Sequence, residues 1–217
     1  MDSKSPLVLI PAAGFGSRVG SPPAKELLPG PDGRPLIALA LEQARRRSWP
    51  VHVITRAEKK SLIDYLQIEK QHGGSIQIQV IAGSREWPES LLHSEPYWRE
   101  QNLLCLPDTV FEPLEIWDQL IQSSADVSAA VFSPPDLSTW GVFRKEETGK
   151  FQVCEKPLDF QKKDRAWGVL AWKKKAGRKL LQAQLESTFD HQWKALEMSF
   201  EWKFLESFQD VTRGGSL

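Results

Sequence analysis

Apolar runs and amphipathic stretches alternate along roughly the first 133 residues. Continuous or alternating apolar runs of strand length are typical of strands in a buried sheet, whereas spacing of three to four residues favours helices. The predicted strands are LVLIPA, VHVIT, SIQIQVIA, NLLCLP and DVSAAVFS. The predicted helices are RPLIALALEQARRR, AEKKSLIDYLQIEKQH, PLEIWDQLIQSSA and, interrupted at Pro96, PESLLHSEPYWRE. This repeated order predicts a largely parallel sheet with helices on both faces.

The pattern changes after residue 133. WGVFRKEETGKFQVCEKP predicts two strands joined by a hairpin around Thr148-Gly149, and RAWGVLAWKKK predicts a third strand. Residues 175–205 read as mostly helical. No repeat, low-complexity tract or linker interrupts the chain, so we expect a single domain over residues 1–217 with a strand-rich half from about residue 134.

Composition narrows the class of protein. The 28 basic and 28 acidic residues cancel, which argues against nucleic acid or an anionic membrane as a partner. The opening apolar run is too short for a signal peptide, and no later run has transmembrane length. Cys105 and Cys154 lie apart in apolar runs, which predicts buried free thiols in a reducing compartment. We therefore expect a cytoplasmic protein whose nine tryptophans pack in or against its core.

The first candidate functional residues lie in the stretch LVLIPAAGFGSRVGSPPAKELLPG. A dinucleotide-binding turn requires a helix to begin at the glycine loop and continue, but Gly20, Pro22 and Pro23 fall where that helix would run. Residues 12–34 therefore form a long loop, and a loop of that length in a compact domain is usually functional. Its backbone N–H groups, with Arg18 and Lys25, favour binding of a polyphosphate.

These residues resemble the opening signature of the nucleotidyltransferases that join a nucleotide to a sugar phosphate. The seven-residue step from Arg18 to Lys25 is more similar to the cytidylyltransferase of the methylerythritol phosphate pathway, which shares the fold. Later segments resemble further motifs of the enzymes that act on sugar phosphates, and they occur in the same order along the chain as in that family. These segments are LLCLPDTVFEP, WGVFRKEETGKFQVCEKP, RAWGVLAWKK and, more weakly, FLESFQDVTRGGSL. VIAGSREWPESLL stands where the family carries a base-reading glutamine stretch, which leaves the base open.

The resemblance implies an α/β, Rossmann-like three-layer sandwich with a mostly parallel mixed sheet. It also implies an enzyme whose partners are a nucleoside triphosphate and a sugar phosphate, with Mg²⁺ as cofactor, and it leaves a homo-oligomer open. The implied nucleotide-binding residues are Ala12, Ala13, Gly14, Gly16, Ser17, Arg18 and Lys25, of which Arg18 and Lys25 are catalytic. The implied sugar-phosphate-binding residues are Gly141, Glu155 and Lys156, and the implied metal ligands are Asp108 and Asp210.

Two other functions stay open at this point. One is a cytidylyltransferase that acts on a polyol phosphate, because of the short step from Arg18 to Lys25. The other is a nucleotide-sugar-binding regulatory protein without turnover, because the base region is unusual and the Gly-Thr that usually follows the terminal aspartate is replaced by Val211-Thr212. Retention of Arg18, Lys25 and Asp108 argues for an enzyme.

Overall fold

A computed structural model describes residues 5–14, 24–84, 86–147, 150–210 and 215–216; of residues 209, 210, 215 and 216 only the backbone is described. The helices are α1 (Leu36–Arg46), α2 (Lys60–Gln71), α3 (Trp87–His93), α4 (Ile116–Ile121) and α5 (Lys174–Asp190), with short 3₁₀ turns at Lys25–Leu27 and Glu95–Tyr97. The strands are β1 (Leu7–Pro11), β2 (Val51–Arg56), β3 (Ile76–Ile81), β4 (Gln101–Cys105), β5 (Thr109–Glu112), β6 (Val127–Phe132), β7 (Gly141–Lys145), β8 (Phe151–Glu155), β9 (Arg165–Lys173), β10 (Lys194–Leu196), β11 (Phe200–Phe204), β12 (Ser207–Asp210) and β13 (Gly215–Ser216).

The first half of the chain forms a parallel sheet in the order β3-β2-β1-β4. Strands β1 and β2 are buried along their whole length, which explains their nearly continuous apolar sequences. Strand β9 then joins β4 in the antiparallel direction and also pairs with β6 and β7. The mostly parallel mixed sheet predicted from the sequence is confirmed, and strands from both halves of the chain belong to it.

Helices cover both faces of this sheet. On one face, α1, α2 and α4 bury a core that includes Leu41, Leu66 and Trp117. On the other face, α3 and α5 bury a core that includes Leu91 and Leu180. The apolar sides of the helices therefore pack on the two sides of the strands, which confirms the three-layer sandwich.

The chain after α5 departs from the sequence prediction. The mostly helical prediction for residues 175–205 is wrong beyond Asp190, where His191 takes a left-handed conformation with φ 55° and ends α5. β10 then pairs antiparallel to β8, and β11 pairs parallel to β6. In β11, the aromatic residues Phe200, Trp202 and Phe204 alternate with charged residues, a period-two pattern typical of a strand. The segment forms a strand because it pairs with β6.

Three smaller expectations can be compared with the structure. The helix α3 ends before Pro96, as predicted, and a 3₁₀ turn follows. The helix predicted over residues 113–125 is shorter than expected and spans Ile116–Ile121. Both cysteines are free and buried, and every tryptophan is buried or partly buried against a core.

Within the ranges given above, no helix is both long and apolar enough to cross a membrane.

Candidate active site

The carboxyl ends of β1, β2 and β4 lie side by side. β1 pairs with both neighbours, with Pro11 opposite Ile54 of β2 and Leu9 opposite Leu104 of β4. In parallel sheets, ligands bind at this edge, where the loops leave the strands. The loop that carries the predicted phosphate-binding residues leaves β1 at this edge.

The start of that loop is closely packed. Ala12 and Ala13 are buried, and the N–H of Ala12 donates to the carbonyl of Ile54 at 2.7 Å. A Cβ added at Gly14 would have no neighbour within 4 Å among the described atoms. The predicted binding residues Gly16, Ser17 and Arg18 lie outside the described residues, so their roles stay predictions.

Lys25 and Asp108 form an ion pair at this edge. Lys25 Nζ lies 2.7 Å from Asp108 Oδ2. Asp108 lies three residues after the end of β4, behind Leu106 and Pro107. The Asp108 side chain is only 8% exposed, whereas the Lys25 side chain is 27% exposed. The fold thus brings one residue predicted for nucleotide binding against one predicted as a metal ligand.

A second ion pair, which the sequence did not suggest, lies next to the first. Lys59 Nζ donates to Glu26 Oε1 at 2.7 Å, with the Glu26 side chain fully buried and that of Lys59 only 10% exposed. Burial lowers the pKa of Lys59, the Glu26 carboxylate opposes this effect, and the charges of Lys25 and Arg56 lower the pKa further. Several charged groups are therefore close enough to interact at this edge. In the sequence, Lys59 lies three residues after the end of β2.

Arg56 ends β2 and belongs to the same group of charges. Its Nε donates to Glu58 Oε2 at 2.9 Å, and its guanidinium packs over Gly83, whose φ of 122° is a conformation that residues with a side chain rarely adopt. Arg56 itself is 7% exposed. Strand β2, a neighbour of β1 in the sheet, thus places a guanidinium near the start of the predicted nucleotide-binding loop.

The backbone of Asp210 lies beside the start of β5. Strand β12 pairs antiparallel to β5, and the register places Asp210 opposite Thr109, the residue after Asp108. About a hundred residues of chain separate the two aspartates. Their side-chain separation is not described, so a metal site shared by Asp108 and Asp210 stays a prediction.

The predicted sugar-phosphate residues lie together on the hairpin formed by β7 and β8. Gly141 pairs with Glu155, and the N–H of Lys156 donates to the carbonyl of Trp140 at 2.8 Å. Lys156 has a φ of 52°, a conformation that costs energy for a residue with a side chain. Glu155 is buried, and its N–H donates to the hydroxyl of Ser187 at 3.1 Å.

Strand β9 connects this hairpin to the edge that carries Asp108. Cys105 of β4 pairs with Val169, and Val142 of β7 pairs with Ala166. The start of β7 therefore lies about 10 Å along β9 from the end of β4, at a rise of about 3.3 Å per residue. The two groups of residues predicted for nucleotide and sugar phosphate therefore lie near each other along β9.

The arrangement can bring anionic groups together. Lysines and arginines at the carboxyl edge neutralise phosphates, while buried carboxylates with hard oxygens suit Mg²⁺. Among the described residues, no group of three or more His, Cys, Asp or Glu side chains is arranged to hold a metal ion. Asp108 offers one carboxylate, so a Mg²⁺ ion there would need ligands from a phosphate or from residues whose side chains are not described.

The fold is that of the sugar-phosphate nucleotidyltransferases. One similar structure is a Bacillus anthracis protein provisionally named a glucose-1-phosphate thymidylyltransferase, in complex with sucrose. The alignment covers 95% of this chain and 90% of the Bacillus anthracis chain, with a TM-score of 0.76 and 16% sequence identity. HddC from Yersinia pseudotuberculosis matches 95% of this chain and 93% of its own, with a TM-score of 0.68 and 14% identity. Its complex with GMP-PN gives a TM-score of 0.67 at 12% identity. No protein-family model matches the sequence, and no curated protein matches it significantly.

Proposed function

We propose that this protein is a Mg²⁺-dependent nucleotidyltransferase that joins a nucleoside triphosphate to a sugar 1-phosphate. The observation that carries the proposal is the ion pair between Lys25 and Asp108, formed at the carboxyl edge of the sheet by residues 83 positions apart. The shared fold with nucleotidyltransferase structures supports the same reaction class. A fold alone does not carry an activity, whereas cations gathered at this edge fit the chemistry.

The reaction is an in-line displacement. A phosphate oxygen of the sugar 1-phosphate attacks the α-phosphorus of the nucleoside triphosphate, the bond to the bridging oxygen breaks, and pyrophosphate leaves with that electron pair. Both reactants are anions, so catalysis consists of positioning them and neutralising their charge. No covalent enzyme intermediate is required.

Each charged residue has a role in this scheme. Arg18 and the loop amides would bind the β- and γ-phosphates and the departing pyrophosphate. Lys25 would stabilise negative charge that develops at the α-phosphate, and Lys156 would hold the incoming sugar phosphate. Because Lys25 contacts Asp108, a bound nucleotide would compete with that carboxylate for the ammonium.

Asp108 and Asp210 would hold Mg²⁺. Mg²⁺ prefers carboxylate and phosphate oxygens, and the buried Asp108 carboxylate at the end of a strand fits that preference. The register that sets Asp210 beside Thr109 supports a contribution from the second aspartate. When bound, the ion would neutralise charge on the phosphate oxygens. Release of Lys25 from Asp108 would then free one carboxylate for the metal and one ammonium for the nucleotide.

The test is a matrix of ATP, CTP, GTP and UTP, together with dTTP, against several phosphates, with pyrophosphate release as the readout. The acceptors should include glucose 1-phosphate, mannose 1-phosphate and the open-chain glycerol 3-phosphate and ribitol 5-phosphate. Turnover with a sugar 1-phosphate supports the proposal. Turnover with CTP and an open-chain phosphate alone would instead assign the polyol-phosphate cytidylyltransferase. Binding without turnover in every combination would assign a regulatory protein.

A further inference from the structure

The 3₁₀ turn at Lys25–Leu27 takes part in two ion pairs that lead to different loops. Lys25 Nζ lies 2.7 Å from Oδ2 of Asp108, which stands between β4 and β5. The next residue, Glu26, accepts through Oε1 from Lys59 Nζ, also at 2.7 Å, and Lys59 stands between β2 and α2. Strands β2 and β4 flank β1 on its two sides. Two adjacent residues therefore tie this turn to the loops that follow both neighbours of β1.

The backbone of Lys59 is itself held in place. Its N–H donates to the carbonyl of Arg56, the last residue of β2, at 3.1 Å. Its carbonyl accepts from the N–H of Ile63, in the first turn of α2, also at 3.1 Å. The Glu26 side chain is fully buried and that of Lys59 nearly so, and a buried pair is screened little by salt. The pair thus connects the turn to a fixed part of the fold.

This connection lies directly beside Lys25. Behind the turn, the N–H of Leu36, the first residue of α1, donates to the carbonyl of Leu28 at 2.9 Å. That bond holds the chain three residues after Lys25, whereas Glu26 holds the residue next to it. A lysine ammonium sits on a flexible four-carbon stem, so its position depends on where its backbone is held. The Glu26–Lys59 pair is therefore well placed to set the position of Lys25 Nζ.

The charges along this path alternate in sign, in the order Asp108, Lys25, Glu26 and Lys59. Burial is the main cause that lowers the pKa of Lys59, and the charge of Lys25 lowers it further. The two ammonium groups are thus close enough to repel each other. The Glu26 carboxylate attracts Lys59 and so offsets this repulsion. Loss of either member of the pair would leave an unbalanced buried charge beside Lys25.

We propose that Glu26 and Lys59 are positioning residues for Lys25, because their buried ion pair holds the turn that presents its ammonium at the carboxyl edge of the sheet. This inference rests on the proposed function, in which Lys25 stabilises charge at the α-phosphate. Neither residue has to touch a substrate for this role. Displacement of a reacting group by about 1 Å can cost about 100-fold in rate, so a small movement of Lys25 is sufficient to slow turnover.

The test is a double-variant cycle on kcat with Lys59→Met and Lys25→Ala. Lys59→Met should lower kcat about tenfold when Lys25 is present, but by less than about twofold in Lys25→Ala, where no ammonium is left to position. Glu26→Gln should behave in the same way. KM for the sugar 1-phosphate should stay within about twofold of wild type, because Lys156 is the residue proposed to hold that substrate. Equal losses of kcat in the two backgrounds would overturn the proposal, since Lys59 would then act independently of Lys25.

Arg144→Met is the matched control for lost stability. Arg144 of β7 pairs with Asp164 at 2.8 Å, and the two side chains are 12% and 0% exposed, close to the 10% and 0% of Lys59 and Glu26. Both substitutions to Met leave a fully buried carboxylate without its cation, which destabilises a protein strongly. With circular dichroism to confirm that each variant is folded under assay conditions, Arg144→Met should keep kcat within about twofold of wild type. A loss equal to that of Lys59→Met would show that reduced stability alone explains the effect and would reject the positioning role.

A second variant keeps the test decisive if Lys59→Met does not fold. Glu26→Gln with Lys59→Met removes both buried charges, and its loss of kcat should likewise disappear in Lys25→Ala; a loss that persists there rejects the proposal. Failure of every substrate pair with the wild type contradicts the proposed function instead. Calorimetric titration of the same five nucleoside triphosphates then tests the pair by itself. Lys59→Met should weaken the tightest binding about fivefold when Lys25 is present and not in Lys25→Ala, a loss typical of one hydrogen bond. Equal weakening in both backgrounds, no weakening in either, or no binding to the wild type rejects the positioning role.

Discussion

Lys25 Nζ and Asp108 Oδ2 lie 2.7 Å apart, although one residue follows the glycine loop and the other follows β4. An ammonium and a carboxylate in contact partly neutralise each other's charge, and the contact occupies one N–H donor and one carboxylate oxygen. The free protein therefore holds its predicted nucleotide-binding lysine and its predicted metal ligand in one closed contact. In the proposed reaction, nucleotide and Mg²⁺ would compete with this contact for the two charged groups.

Removal of Lys25 should reduce turnover strongly. We expect Lys25→Ala to lower kcat about 100-fold or more, the loss typical for one charge-stabilising donor, while the fold is retained. Steady-state pyrophosphate release, with circular dichroism as the fold control, measures this. Arg18→Ala should behave similarly, and Arg18→Lys should recover only part of the rate because a point charge cannot grip a phosphate in two places. Near wild-type rates in Lys25→Ala would remove that residue from the reaction.

The two aspartates should differ from Lys25 in their dependence on metal. Asp108→Asn and Asp210→Asn each replace a charged oxygen ligand of a hard cation by a neutral amide. We expect both variants to need about tenfold more Mg²⁺ for half-maximal rate, with part of the activity recovered at high metal concentration. Titration of Mg²⁺ at saturating nucleotide measures the shift, and Asp32→Asn, an exposed change in a surface turn, is the control. An unchanged Mg²⁺ requirement in Asp210→Asn would leave Asp108 as the sole predicted ligand of the pair.

The buried pair of Lys59 and Glu26 should be energetically coupled. Lys59→Met leaves a fully buried carboxylate without its cation, which should lower the free energy of unfolding by about 3–5 kcal/mol, the usual loss when one partner of a buried pair is removed. The double variant Glu26→Gln with Lys59→Met removes both charges, so it should be more stable than Lys59→Met alone. Urea unfolding of the four proteins in this cycle gives the coupling free energy. Purely additive effects would show that the contact does not contribute to stability.

His52 should make stability depend on pH. Its imidazole is buried, with Nε2 2.8 Å from Gln79 Oε1 and the ring of Tyr97 against it at 4.7 Å between centroids. Burial lowers the pKa of His52 below its usual 6.5, while the hydrogen bond to Gln79 opposes that shift. The unfolded chain therefore binds a proton more readily than the folded protein, so stability falls as pH drops through 6.5 toward the lower folded-state pKa.

Substitution of His52 tests that pH dependence. In His52→Gln, the part of the stability loss that develops between pH 6.5 and the folded-state pKa should disappear, whereas His93→Gln, a change at an exposed position, should retain it. Denaturant unfolding of both variants and the wild type over pH 5 to 8 supplies the comparison. A wild-type curve parallel to that of His52→Gln across this range would contradict the assignment.

Local sequence was sufficient for the elements whose patterns are continuous in the chain. The apolar run before Ala12 predicted β1, and the helical spacing of RPLIALALEQARRR predicted α1. WGVFRKEETGKFQVCEKP predicted the hairpin strands β7 and β8. Each of these signals depends on residues within a few positions of one another. The helix prediction for residues 191–205 was wrong because the strands with which they pair, β6 and β8, lie far away in sequence.

The amino-acid sequence by itself determined the alternating strands and helices of the first half and indicated the candidate residues Lys25, Asp108 and Glu155. These depend on local periodicity, on proline and glycine positions, and on a charged residue that follows a buried strand. Only the tertiary structure decided which of them meet. Pairing across the sheet set Lys25 against Asp108 and buried Glu26 with Lys59. Contacts of this kind join residues tens of positions apart, and their energy is gained only when the strands between them have paired.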